Sequence, residues 1–387
     1  MTSAHSEPAV GQEEVRLDLI FEKTIDHFLA PIADFLKDPS VTEIMVNGPH
    51  EIFIEQKGRL ILTNARFPGE DALMAAVRNI LQFSGKRISD EHPLMDARLP
   101  DGSRVHVALL PCSRRGTVVT IRKFARQAFD MDYLIECGTL TPMSRDFLIL
   151  CVDTEKNLLV SGGTSSGKTS LLNVLSEYIH PERRIVVIEE SSELQLRQPH
   201  VIGLEARPPD RYGRGEVTIR DLFKNSLRMR PDRVIVGECR GGEALDMIQA
   251  MTSGHAGSMT TLHSDSPPDS LNRLETMAMM SNVDMPLDAL RAQIASAIHV
   301  IVQMMRFAEG SRRVVEISQV LGLDERGRYR VEPLFSLHLA PGESSLTKAT
   351  LEWTGTKFAF RHEVAVRVAS RNLPSLEPLL ADKEGEG

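Results

Sequence analysis

Apolar positions divide the chain into segments of different period. From Glu14 to Lys37 they carry helical periodicity, at Leu17, Leu19, Ile20, Phe21, Ile25, Phe28, Leu29, Ile32 and Phe35, which predicts an amphipathic helix. Alternation follows in Glu43–Val46, Glu51–Glu55 and Arg59–Leu62, with Asn47-Gly48 and Lys57-Gly58 as turns. A helix over Asp71–Gln82 and strands at Asp96–Leu99, Ser103–Leu110 and Thr117–Arg122 complete a mixed α/β domain over residues 15–124. Residues 1–14 are polar and acidic, carry no signal-peptide apolar core and read as disordered. Residues 125–140 read as a linker. From Thr141 the pattern changes. Leu158–Ser161, Arg184–Ile188 and Val234–Val236 are apolar at every position or nearly so, as strands of a parallel sheet covered on both faces are. The second domain is placed at 141–335. A C-terminal extension, 336–387, follows, and the tail beyond about 335 reads as short strands around Tyr329–Pro333 and Lys357–Phe360.

Composition narrows the picture by exclusion. The chain has 387 residues, 42% hydrophobic and 25% charged, ordinary for a soluble two-domain protein. A net charge of −8 provides no electrostatic footprint for nucleic acid. One tryptophan and 5% aromatic residues provide no stacking platform for bases. No run approaches the length of a transmembrane helix. The four cysteines, Cys112, Cys137, Cys151 and Cys239, are far apart, which argues against a zinc site and suits a reducing, cytoplasmic compartment.

The chemistry is concentrated at Gly162-Gly163-Thr164-Ser165-Ser166-Gly167-Lys168-Thr169. This run fits G-x-x-x-x-G-K-[ST] between a predicted strand and a predicted helix. Glycines let backbone N–H groups face an anion, and the helix N-terminus adds partial positive charge. Lys168 is thereby a candidate for the β- and γ-phosphates of ATP, and the Thr169 hydroxyl for Mg²⁺. Two further strands end in carboxylates, Glu189-Glu190 (with Glu193 three residues on) and Gly237-Glu238, at the strand ends where ligands bind in open α/β sheets. The stretch Thr252–His263 carries two histidines, His255 and His263, without a third ligand at metal-site spacing.

In their order these four boxes resemble the secretion ATPase superfamily, the motors of type II and type IV secretion and of type IV pili. Asp38–Gly48, Asp96–Val105, Thr120–Phe124 and Leu227–Arg233 are similar to the tight-adherence (Tad) pilus branch. The resemblance runs from about residue 15 to 325. It implies an α/β fold with a RecA-like P-loop core and a smaller N-terminal domain. It also implies ATP and Mg²⁺ as cofactors, a homohexamer, and inner-membrane platform proteins of a pilus or secretion system as partners, with the motor peripheral to the membrane and no direct nucleic-acid contact. The site roles it implies are a Walker B carboxylate at Glu238, a water-positioning base at Glu189 and a γ-phosphate sensor at His263. Arg98, Arg104 and Arg122 are candidates to reach the phosphates from the N-terminal domain, with Arg228 and Arg240 behind them. The chain departs from the superfamily at Ser165, usually Gly, and at Glu190, usually Asp. It also lacks the tetracysteine of the type II branch. A nucleic-acid translocase and a non-hydrolysing scaffold on the same core are the rival readings.

Overall fold

The computed structural model describes residues 27–83, 86–124, 129–210, 212–339, 348–371 and 373–380. The chain divides into two compact units, 1–127 and 128–387. Most of the helix expected over Glu14–Lys37 lies outside the described residues. Its end appears as a 3₁₀ turn, Ala30–Ile32, and the short helix α1, Ala33–Lys37.

The first unit is an antiparallel sheet with a helix on one face. Its strands are β1 (Val41–Asn47), β2 (Ile52–Gln56), β3 (Arg59–Leu62), β4 (Leu94–Arg98), β5 (Arg104–Ala108) and β6 (Val118–Arg122), in spatial order β3-β2-β1-β6-β5-β4. The alternation is a burial pattern. Val105 and Val107 of β5, and Val119 and Ile121 of β6, are buried with the inward stripe of α2 (Glu70–Phe83), which includes Leu73, Val77 and Ile80. Each such side chain contributes about 1.5–3 kcal/mol when fully buried. Arg104 and Arg122 stand level with each other on the opposite face.

The second unit is built on a nine-stranded sheet, β15-β14-β13-β12-β7-β11-β10-β8-β9. Six strands run parallel: β7 (Leu158–Gly162), β8 (Ile185–Glu189), β9 (Val201–Glu205), β10 (Arg233–Val236), β11 (Met259–Leu262) and β12 (Val300–Arg306). β7, β8, β10 and β11 are buried at every residue, as the unbroken apolar runs predicted. Successive residues point to opposite faces, so two cores form, one around Leu158, Val160 and Leu171 and one around Leu159, Val186 and Ile248.

Two differences from the sequence reading concern the borders of this unit. Residues 131–136 of the expected linker form a helix, α3 (Met131–Glu136), capped by the Asp130 side chain on Tyr133 N at 2.8 Å. Its Met131 and Leu134 are buried in the second unit's core. At the other border, the strands β13 (Arg312–Leu323), β14 (Tyr329–His338) and β15 (Thr350–Trp353) continue the same sheet antiparallel, so β14 runs straight through residue 335. The strand expected over Lys357–Phe360 is a loop. Its backbone bonds go elsewhere: Lys357 O and Ala359 N to the Gln319 side-chain amide at 3.0 and 2.8 Å, and Phe358 N to Leu379 O at 3.1 Å. Phe358 packs edge-on against Phe147, 5.0 Å between ring centres, so the alternation there reports aromatic packing rather than a ladder.

Candidate nucleotide site

Parallel pairing puts the chemistry on one edge. Ser161 is level with Leu262, and Ile188 with Val236, so Gly162, Glu189, Glu238 and His263 all leave the sheet at its C-terminal end. The helix α4 (Lys168–Ser176) begins directly after the glycine loop, with Gly167 at its N-cap in the left-handed region (φ 96°). A Cβ on Gly162 would lie 2.4 Å from Met304 O, so only glycine lets β7 leave the sheet here. Ser165, where the superfamily usually has Gly, also adopts a left-handed conformation (φ 57°). That costs a non-glycine residue about 1 kcal/mol. Arg312 Nε donates to Ser165 O at 2.9 Å and holds the loop in that form.

Lys168 is buried, and its Nζ bends back over the loop to donate to Gly162 O (3.0 Å) and Gly163 O (2.9 Å). It also lies 3.3 Å from His263 Nδ1. An ammonium group only donates, so Nδ1 accepts and the ring carries its proton on Nε2, which faces Glu238 Oε1 at 3.0 Å. Burial, then the Lys168 charge, hold His263 below the usual imidazole range against the opposing pull of Glu238, in keeping with a neutral ring. Burial raises the Glu238 carboxyl, but the Arg240 hydrogen bond and the charges of Arg240 and Lys168 outweigh it and keep the group below its ordinary value. Arg240 Nη2 donates to Glu238 Oε2 at 2.8 Å, and its Nη1 pairs with Glu190. The segment carrying Glu238 is sewn to β11 by Thr261 Oγ1 on Gly237 O (2.7 Å) and Cys239 N on Thr261 O (2.8 Å).

Glu189 is buried, and its Oε1 accepts from Glu193 N (2.8 Å) and Leu194 N (3.0 Å). Its carboxylate is therefore oriented by its own loop. Glu190 is exposed and bound to Arg240 instead. Thr164 stands exposed in the loop, and Thr169 opens the helix as the residue after Lys168.

The structure does not bring every predicted residue here. Arg228 lies on the 3₁₀ turn Leu227–Met229, ahead of β10, and so at the opposite end of the strand from Glu238. His255 precedes β11 while His263 follows it, which separates the two histidines by the length of that strand. Arg98, Arg104 and Arg122 belong to the first unit. They form one row across it: Arg98 is level with Arg104, and Arg104 with Arg122, while Arg122 is level with Glu43, 3.8 Å from Nε to carboxylate. Sequence reading missed a role for Ser166 beyond the motif match. It is buried, and its Oγ has no hydrogen-bond partner among the described residues. An orphaned hydroxyl under a glycine cradle fits an anion that would accept from it. A hard cation at the loop would find oxygen donors in the Thr169 hydroxyl and the Glu238 carboxylate.

A buried parallel sheet, a phosphate loop at the end of a central strand and carboxylates on neighbouring strand ends define a P-loop nucleotide-binding protein with a RecA-like core. The family model of type II/IV secretion system proteins matches residues 26–330, and the chain belongs to that family. It is 36% identical over 324 residues to the type IV secretion system protein PtlH homolog of Bordetella bronchiseptica, covering 76% of this chain and 95% of that one. It is 32% identical over 315 residues to the putative conjugal transfer protein MT3759 of Mycobacterium tuberculosis, covering 80% and 89%. The crystal structure of the ATPase DotB of Legionella pneumophila is similar in fold, with a TM-score of 0.53 at 21% identity over 76% of this chain and 80% of that one. Among the described residues no helix is long and apolar enough to cross a membrane.

Proposed function

We propose that this chain is an ATP-hydrolysing motor for pilus assembly or protein secretion, acting as a homohexamer at the cytoplasmic face of an inner-membrane platform. The observation that carries the reading is the cluster of Lys168, His263 and Glu238 at the mouth of the phosphate loop, with approaches of 3.3 and 3.0 Å. In it Lys168 leaves the Gly162 and Gly163 carbonyls for the β- and γ-phosphates. Backbone N–H groups of Gly163–Lys168 and the Ser166 hydroxyl cradle the phosphate oxygens. Thr169 and Glu238 would hold Mg²⁺, which would neutralise phosphate charge. Glu189, oriented by two backbone donors, positions the attacking water. His263 reads the γ-phosphate and passes its presence to Glu238 and Arg240.

The arginine row of the first unit supports a part in phosphate contact. Like charges level with one another on neighbouring strands repel, and Arg98, Arg104 and Arg122 stand level in succession in a row that continues to Glu43 and Glu55. The Tad pilus assignment rests on the motif likeness of the N-terminal half. The relatives named for conjugal transfer and type IV secretion support the broader class of motor.

The test is ATP turnover by the purified full-length chain. Lys168→Ala is expected to abolish hydrolysis in a folded protein. Glu238→Gln is expected to retain ATP while turnover falls by about 10²-fold or more, the scale of a lost catalytic group. Wild-type turnover in either variant overturns the assignment, and stimulation of turnover by DNA favours the translocase reading.

A further inference from the structure

Gln303 sits in the middle of β12, almost fully buried at 3% exposure, level with Ser161, the residue before the phosphate loop. Its Nε2 donates to Ser264 O at 3.0 Å, and Ser264 follows His263 directly. A carbonyl only accepts, so this bond settles which end of the amide faces Ser264. The Oε1 end then faces Ser161, whose hydroxyl must donate to it, and the two are hydrogen-bonded. Both ends of the amide are satisfied in a site closed to water.

The topology gives this amide a task that no backbone bond can perform. The spatial order is β12-β7-β11, so β7 stands between β12 and the strand that carries His263. Ladder bonds join each strand to its neighbour alone. The Gln303 side chain meets β7 at Ser161 and ties the exit of β11 to β12. The next residue on β12, Met304, presses its carbonyl against Gly162. One short stretch of β12 thus sets where the phosphate loop begins and where the His263 segment runs.

We propose that Gln303 is a positioning residue for hydrolysis: by holding Ser161 and Ser264 on one amide, it sets the separation of Lys168 and His263 into which the γ-phosphate enters. The inference rests on the sensor role given to His263 above. A rigid amide is suited to this because it has no charge to compete for phosphate or metal, and its two ends recognise different partners. Loss of the tie leaves each group on its own strand but lets the His263 segment drift. Misplacement of a reacting group by about an ångström costs on the order of 10²-fold in rate.

The experiment is steady-state hydrolysis of MgATP by the full-length chain. Gln303→Met keeps the length and removes both hydrogen bonds. It is expected to lower kcat about 10- to 100-fold while KM changes less than about 3-fold, as when an interaction that matters in the transition state is lost. In a His263→Ala background the same change is expected to cost less than about 3-fold, because a tie acting through His263 has nothing left to position. Gln303→Glu supplies a second test, used also if Gln303→Met does not fold. Its protonated carboxyl can donate to Ser264 O, so its kcat is expected to recover towards wild type as pH falls, a recovery absent from Gln303→Met. A purely structural role predicts multiplicative losses in the double variant and no acid recovery, and that result overturns the inference while leaving the sensor role standing. Wild-type turnover by His263→Ala alone overturns both.

Discussion

At Gly257 one missing atom decides whether the core closes. The residue is left-handed (φ 75°), and a Cβ there would lie 1.1 Å from Nη1 of Arg233. Arg233 cannot yield easily. It is 2% exposed and donates from Nη2 to Val152 O at 2.9 Å, with Glu155 at 3.7 Å as its nearest counter-charge. Burial draws its guanidinium below the usual range against the pull of Glu155, so moving it further from partners adds to a cost already present. Gly257→Ala is expected to destabilise the second unit by about 2–4 kcal/mol, from overpacking together with the backbone conformation. A denaturant titration showing a change under about 0.5 kcal/mol would mean that the Arg233 side chain has room the structure does not show. The same reasoning separates Ser165 from Gly257. Ser165 accepts the left-handed cost because Arg312 secures its carbonyl.

At the scale of elements, the helix Arg361–Arg371 shows how the C-terminal segment is fastened to the second unit's sheet. Lys156, just ahead of β7, is buried, pairs with Glu363 of that helix and lies 4.7 Å from the centre of the Phe360 ring. His299, just ahead of β12, accepts from Asn157 N at 2.9 Å and meets Phe360 edge-on at 5.0 Å. Burial first, then the Lys156 charge, lower the His299 imidazole to about 4 against the weaker pull of Glu363. The sign of the consequence follows. Above about pH 6.5 neither the folded nor the unfolded ring is charged and the stabilisation is complete. Between about 6.5 and 4 the unfolded ring takes up a proton that the folded one refuses, so stability falls as pH falls. Below about 4 both are charged and the loss levels off. The expected loss is on the order of 2 kcal/mol, reduced from the full shift because the ring is only partly buried. Denaturation midpoints of wild type and His299→Phe across pH 4–7 check it, and parallel profiles for the two would exclude His299 as the source.

For the whole molecule, the division at residues 127/128 makes the contribution of the first unit testable. A truncated protein should begin at 128 and not at 141, because Met131 and Leu134 of α3 complete the second unit's core. Residues 128–387 are expected to fold and bind nucleotide, since the glycine loop, Lys168, Glu238 and His263 all lie within them. Their turnover is expected to fall at least about 10-fold below the full-length chain if the arginine row stabilises phosphate charge during hydrolysis, the scale of a lost electrostatic contact. Full-length turnover by 128–387 would leave the first unit a docking role alone.

Much of this was legible in the residues because it depends on local order. Unbroken apolar runs at Leu158–Ser161 and Arg184–Ile188 can be read as doubly covered strands, since a period of two is erased when both faces are buried. Gly162–Thr169 can be read as a phosphate loop because its backbone conformation is encoded by its own glycines. The row made by Arg98, Arg104 and Arg122 could not be read, because cross-strand register depends on pairings between segments that are distant in sequence. Nor could the placement of Arg228, which is near Glu238 in sequence but separated from it by the full length of β10. Gln303 carried no signal at all. A lone glutamine in an apolar run acquires its task only when β7 comes to lie between β12 and β11, because strand order, unlike strand identity, is decided by packing of the whole sheet.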